Sequence, residues 1–240
     1  MVLKLTWILA SALSLNAQIS TVLNRFPTRS PEVEVRNNSG VNLTAFAISM
    51  APVGNSAADS APFVYFVDGA IETDRVAPPY ELPLPANQKC SVPVPSGFKA
   101  GHQVDLYEPP IIQAAVFADG TTAGDAALLA RLLSRRGNML QAVELVREVL
   151  TDVGKHNVPR GQLINQFATM ADSLNHWYLP PEQRVGRTLY QSISEQLLNL
   201  PQSQVGSAFP PTAFVEQQSA MLNRQRTTLL ESLPSLSPGK

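Results

Sequence analysis

The sequence predicts an α+β protein: an N-terminal antiparallel β-sandwich over residues 32–120, followed by a C-terminal set of about four amphipathic α-helices within residues 121–234. Three observations predict it. Apolar residues recur with a period of two up to Gly120 and of about 3.6 beyond it. Six or so short runs in the first half are punctuated by Gly, Pro and Asn, the residues that turn a chain. Most of the 20 prolines lie before residue 111 or at helix entrances, where they break no helix interior.

The strands follow in order. In "EVEVRNN", Val33 and Val35 alternate with charged neighbours, and "NNSG" is a turn. "VNLTAFAISM" puts Val41, Leu43, Ala45 and Ala47 on one face and Thr44, Phe46 and Ile48 on the other. Both faces are apolar, so this strand is expected to be central or partly covered. A loop over residues 51–62 leads to "FVYFVDG", and "RVAPPYELPLPANQ" leads to "KCSVPVPSG", where Pro93 and Pro95 remove ladder donors and predict an edge. "HQVDLYEP" and "IIQAAVFAD" complete the set. Residues 18–31, with polar and proline content, read as an N-terminal arm.

Four apolar stripes follow at helical spacing. The first runs through Leu129, Leu132, Leu133, Leu140, Val143, Val146, Leu150 and Val153, with Thr122 or Asp125 as the expected N-cap. Its register survives Gly137-Asn138, which predicts one continuous helix. The second is Leu163, Phe167, Met170, Leu174 and Trp177. Pro181 suits a first helical turn and Glu182 its positive end, ahead of Val185, Leu189, Ile193 and Leu197. "PPTAF" opens the last stripe, through Phe214, Met221, Leu222, Leu229 and Leu233. Residues 235–240 are expected to be a disordered tail. "LLSRRGNMLQAVELVREVL" resembles a single tetratricopeptide unit, but one copy cannot build a solenoid, and an ordinary amphipathic helix accounts for it.

The N-terminus reads as an export signal over residues 1–17. Lys4 precedes an apolar run from Leu5 to Leu15, and Ala17 is the small residue before the expected cleavage. The run is shorter than the roughly 20 residues that span a bilayer. The mature chain would begin near Gln18 in the periplasm or the medium, with no transmembrane span. The alternative is a buried N-terminal helix. The formal net charge of -1 gives no electrostatic case for nucleic acid. Charge is unevenly placed: residues 41–120 hold eight acidic and three basic groups, and residues 121–240 hold nine and eleven.

"VFADGTT" resembles the first motif of the haloacid dehalogenase-like phosphatases, in which a strand ends in Asp-x-Asp-Gly-Thr. Asp119, Gly120 and Thr121 match its last three positions, but the nucleophile position holds Phe117, which can neither attack phosphorus nor bind magnesium. The same residues read coherently as a turn at Asp119-Gly120 and a capped helix start. "DGAIETD" brings three carboxylates together between Asp68 and Asp74 without the spacing of an EF-hand. His102, His156 and His176 are far apart in sequence and form no zinc pattern. Ser96 and Lys99 fit S-x-x-K only literally, in a Pro/Gly turn, and no G-x-S-x-G, P-loop or dinucleotide fingerprint occurs. Arg131, Arg135 and Arg136 could form an anion-binding cluster or an ordinary solvated face. Asn37 and Asn42 head formal glycosylation sequons. The only cysteine, Cys90, has no disulfide partner in the chain and reads as a small buried hydrophobe rather than a reactive thiol.

The arrangement resembles exported bacterial proteins of uncharacterised role that carry a signal, an immunoglobulin-like or fibronectin-like sandwich and a helical C-terminal region. "EVEVRNNSGVNLTAFAI", "LPANQKCSVPVPSG" and "AAVFADGTTAGD" carry the resemblance. It implies an exported, non-catalytic binding or structural protein whose partner is a protein or envelope component, with no catalytic, cofactor or metal residues assigned. The expected surface is the loop from Ala51 to Asp74 and the helix start after Asp119. A second expectation is an exported hydrolase that assembles Asp119, Asp125, His102 and His156 in space. A third is a peripheral membrane protein, which needs an exposed apolar helix face.

Overall fold

The structure is a computed structural model that describes residues 15, 17–24, 32–51, 62–71, 82–93, 108–156, 158–201 and 209–233. The tail expected at 235–240, the strand expected from His102 and most of the expected signal lie outside them. Among the described residues the protein is mixed α+β, with seven strands in two antiparallel sheets and four α-helices. It divides into two compact units, Met1–Leu132 and Leu133–Lys240. The division falls beyond the boundary expected at Gly120, because the start of the first helix belongs with the sheets.

In the first unit one sheet has the order β1 (Ile19–Asn24), β2 (Glu32–Asn37), β5 (Lys89–Pro93). Residues 19–24, expected as part of an arm, therefore form an edge strand. "ISTVLN" is rich in β-branched residues, its Ile19 is buried, and the prolines that argued for an arm, Pro27 and Pro31, lie beyond its end. The second sheet has the order β4 (Phe63–Asp68), β3 (Leu43–Met50), β6 (Ile111–Phe117), β7 (Thr122–Gly124). β3 is central and both of its faces are buried, as its two apolar faces predicted.

Residues of both sheets enter one hydrophobic cluster, including Val33, Val35, Val92, Phe46, Ile48 and Phe117. Leu15 is also buried in it. The opposite face of β3 and β6 is made of small residues, Ala45, Ala47, Ala114 and Val116, over which Leu128, Leu129 and Leu132 of the first helix pack. Leu43 was expected on the face of Ala45 and Ala47, yet it joins Phe46 and Ile48. The cause is a bulge: Leu43 pairs with Phe117 and Ala45 with Val116, so Thr44 is an extra residue that reverses the alternation. The Thr44 hydroxyl donates to the Val116 carbonyl at 2.9 Å.

Asn37 closes the β2–β3 turn from the inside. Fully buried, it donates through its amide to the Val41 and Leu84 carbonyls at 2.8 and 3.0 Å. Its side-chain oxygen accepts from the Ser39 N–H and hydroxyl at 3.0 and 2.7 Å. Each side-chain hydrogen-bonding group is thus used, which is what a buried amide needs. The Asn37 sequon is closed to modification in the folded chain, whereas Asn42 is exposed.

Cys90 lies on β5 opposite Val35 and packs, partly buried, against the shared cluster. Burial pushes its thiol up to about 11, so the nucleophilic thiolate is scarce at neutral pH. Native protein is expected to react with a thiol reagent such as dithionitrobenzoate far more slowly than urea-unfolded protein. Equal rates in the two states would contradict this packing.

In the second unit the helices are α1 (Ala126–Val153, from Leu133 on), α2 (Arg160–Ser173), α3 (Gly186–Asn199) and α4 (Thr212–Ser232). α1 runs unbroken for 28 residues through Gly137-Asn138. A 3-10 turn at Pro181–Arg184 precedes α3 and begins with its proline at the first position. Arg160 meets the Leu198 carbonyl and Ser194 meets that of Ile164, so α2 and α3 run antiparallel. α1 and α3 run parallel: Asn138 donates to the Glu182 carbonyl, and Gly186 sits where an added Cβ would lie 2.6 Å from that of Ala142. Arg160 also donates to Leu200 O at 2.9 Å, satisfying carbonyls left open where α3 ends before Pro201.

The stripes are buried as expected at Val143, Val146, Leu150, Leu163, Phe167, Leu189, Ile193, Leu197, Phe214, Leu222 and Leu229. Trp177 departs from its stripe. α2 ends at Ser173, and Trp177 stands in the following turn with 90% of its surface exposed. Five polar side chains join the interior: Glu182, Ser194, Gln218, Gln225 and Arg136, the last fully buried and donating to the Ser232 carbonyl at 2.9 Å.

Candidate functional site

The strand–helix junction that invited a catalytic reading is occupied by its own backbone. The Asp119 carboxylate accepts from the Thr121 N–H at 3.0 Å and from its hydroxyl at 2.6 Å. The Thr121 hydroxyl, followed by its amide, holds the Asp119 carboxyl below the usual carboxylate range. Gly120 takes the positive φ of 81° that the turn requires. Asp125 accepts from the Leu128 N–H at 2.8 Å and is the cap of α1, while Thr122, the other candidate, is in β7. Phe117 is buried in the core. The position of a phosphatase nucleophile is therefore a packing residue.

The other two hydrolase candidates are His102 and His156. His156 faces Asp152, one helical turn back, at 2.9 Å, and both are exposed. His102 lies outside the described residues. Among the described residues no three of His, Cys, Asp and Glu are grouped to hold a metal. Of the three carboxylates between Asp68 and Asp74, Asp68 is buried and accepts from the Ala70 N–H at 3.0 Å, while Glu72 and Asp74 lie outside the described residues. Of the arginines, Arg131 lies over the Phe66 ring at 4.8 Å, and Arg136 is turned inward to α4. Of the expected binding loop, residues 52–61 and 72–74 lie outside the described residues as well.

The surface that stands out is in the helical unit. Adjoining concavities run along the seam of α1 and α2, with Leu145, Val149, Met170 and Leu174 as an apolar floor. Leu145 is 42% exposed, beside the buried stripe of α1. Gln162, Gln166 and Gln183 line the edges with amides. The charged groups lining these concavities are Glu144, Glu148 and Asp152, spaced four apart on α1. Hydrogen bonds from Arg226, then Arg147, hold the Glu144 carboxyl below its usual range.

At the end of α2 the chain turns through exposed aromatics. His176 and Tyr178 stack with centroids 5.0 Å apart, and Trp177 stands edge-on to Tyr178. The turn is closed by the Leu179 N–H donating to the His176 carbonyl at 3.1 Å. Sequence reasoning missed both features. The signal available for the groove was the second apolar line on α1, Leu145 and Val149, beside the stripe that was read.

No helix among the described residues is long and apolar enough to cross a membrane. Comparison with protein-family models, with curated proteins and with solved structures finds no match.

Proposed function

We propose that the chain is an exported, non-catalytic binding protein that engages a protein of the envelope or medium through the α1–α2 groove. The observation that carries this reading is the groove itself: a half-buried apolar floor with Leu145 exposed and a polar edge, of the kind that marks interaction sites. The polar groups with the best claim to chemistry, Asp119 and Asp125, support it by being engaged with main-chain N–H groups. The core cluster fed by both sheets supports an immunoglobulin-like or fibronectin-like sandwich for the first unit.

Export is part of the reading, and N-terminal sequencing of the secreted chain is expected to find Gln18 first. A chain cut there gives up the buried Leu15, so an N-terminus that retains Leu15 would remove export by cleavage at Ala17 from the proposal.

The test of binding compares the wild-type chain with Leu145→Glu/Met170→Glu as bait in the envelope fraction and medium of the source cells, alongside a panel of ester and phosphate substrates. A protein retained by the wild type and lost by the double variant is expected, with no turnover. Turnover by the chain, or equal retention by a double variant of native circular dichroism, overturns the reading.

A further inference from the structure

Resting on that binding reading, we infer that the α1–α2 groove receives an amphipathic helix that carries lysine or arginine beside its apolar stripe. The floor has the spacing for it. Leu145 and Val149 on α1, and Met170 on α2 and Leu174 at its C-cap, are each four residues apart, so both helices offer apolar side chains to the seam one turn apart. A visiting helix with apolar residues every three or four positions meets that repeat.

Charge selects among such helices. Glu144, Glu148 and Asp152 line the seam, where no lysine or arginine joins them, and on their far side they share a further concavity with Arg147 and Lys155. Glu144 is offset by Arg147 and Arg226, and Asp152 faces His156. Glu148, exposed and midway between them, has no ion-pair partner among the described residues. A cation arriving there meets an unneutralised carboxylate, while an acidic helix meets repulsion. The same sign argues against two other occupants. An anionic lipid surface would face carboxylates, and a second copy placing groove on groove would bring the same carboxylates together.

The test uses the full chain and a fluorescein-labelled synthetic helix of ~18 residues with leucines at helical spacing and flanking lysines, long enough for a marginal helix to form on binding. Its twin has glutamates in place of the lysines. Saturable anisotropy with the lysine peptide, weakening as salt rises, is the expected result. Glu148→Lys/Asp152→Lys should weaken it about tenfold, Gln166→Lys should weaken it without touching the floor, and Leu145→Glu should abolish it. Circular dichroism and the thermal midpoint verify that each variant is folded.

Equal binding of the twin, still lost in Leu145→Glu, overturns the charge preference and leaves the binding reading standing. No binding of either peptide overturns the inference, and the bait experiment separately decides the reading beneath it. Binding of the lysine peptide unchanged in Leu145→Glu overturns the site. Flotation with phosphatidylglycerol vesicles that Leu145→Glu abolishes would replace the helix with a lipid surface.

Discussion

Gly124→Ala is expected to destabilise the sheet unit by about 3 kcal/mol or more, read as a lower urea midpoint. Two independent effects act at this position. Gly124 has φ of 106°, a conformation L side chains rarely adopt. A Cβ there would also lie 2.1 Å from the Gln113 carbonyl oxygen and 2.8 Å from the Ala114 Cα. Neither neighbour can step aside, because both are strand backbone: Ala114 pairs with Gly124, and Gln113 O accepts from the Asp125 N–H at 2.7 Å. Relief of the clash would pull the α1 start away from β6. Gly120→Ala provides the comparison, since Gly120 shares a positive φ but has nothing within 4 Å of an added Cβ. Only strain acts there, so a loss of about 1 kcal/mol is expected. Equal losses at the two glycines would show that backbone strain, not close packing, dominates at Gly124.

Asn37→Ala is expected to cost about 2–4 kcal/mol by the same measurement, which is large for a polar residue. The alanine takes one of two donors from each of two carbonyls: Val41 O keeps the Ser39 hydroxyl and Leu84 O keeps the Leu43 N–H. It also releases the Ser39 N–H and hydroxyl. Asn37→Asp separates the donors from the shape. It keeps an acceptor for Ser39 but turns a carboxylate oxygen towards the two carbonyls. Burial and that repulsion would raise the folded pKa of the new carboxyl above its unfolded value of about 3.9. The folded state then binds the proton more tightly, so the Asn37→Asp variant should recover stability as pH falls through the raised value and lose it as pH rises. A deficit in this variant that is constant from pH 7 to pH 4 would sink this account of the turn.

The half-buried apolar floor along α1 and α2, with Leu145 exposed in it, and the exposed Trp177 give the helical unit its surface character. Neither follows from composition. Leu145 and Val149 sit on a helix whose main stripe is already buried, and a second apolar line is uninformative until the packing neighbours are known. Trp177 falls on the α2 register, but the helix ends at Ser173, and one turn out of register is enough to bring the ring from core to solvent.

What the sequence determined alone is what depends on neighbours a few residues away. The alternation at Val33 and Val35, the 3.6-residue stripe through Val143, Val146 and Leu150, the Asp119-Gly120 turn and the Asp125 cap each involve partners within about one helical turn or strand pair. Tertiary structure decided the rest. The Thr44 bulge moved Leu43 to the other face because β6 holds one residue fewer opposite it. Ile19–Asn24 became a strand because β2 was there to accept its hydrogen bonds. Asn37 and Arg136 are buried because distant carbonyls, at Leu84 and Ser232, receive their donors. A polar side chain reads as surface until a partner far along the chain offsets the cost of its burial, and the sequence does not print that partner beside it.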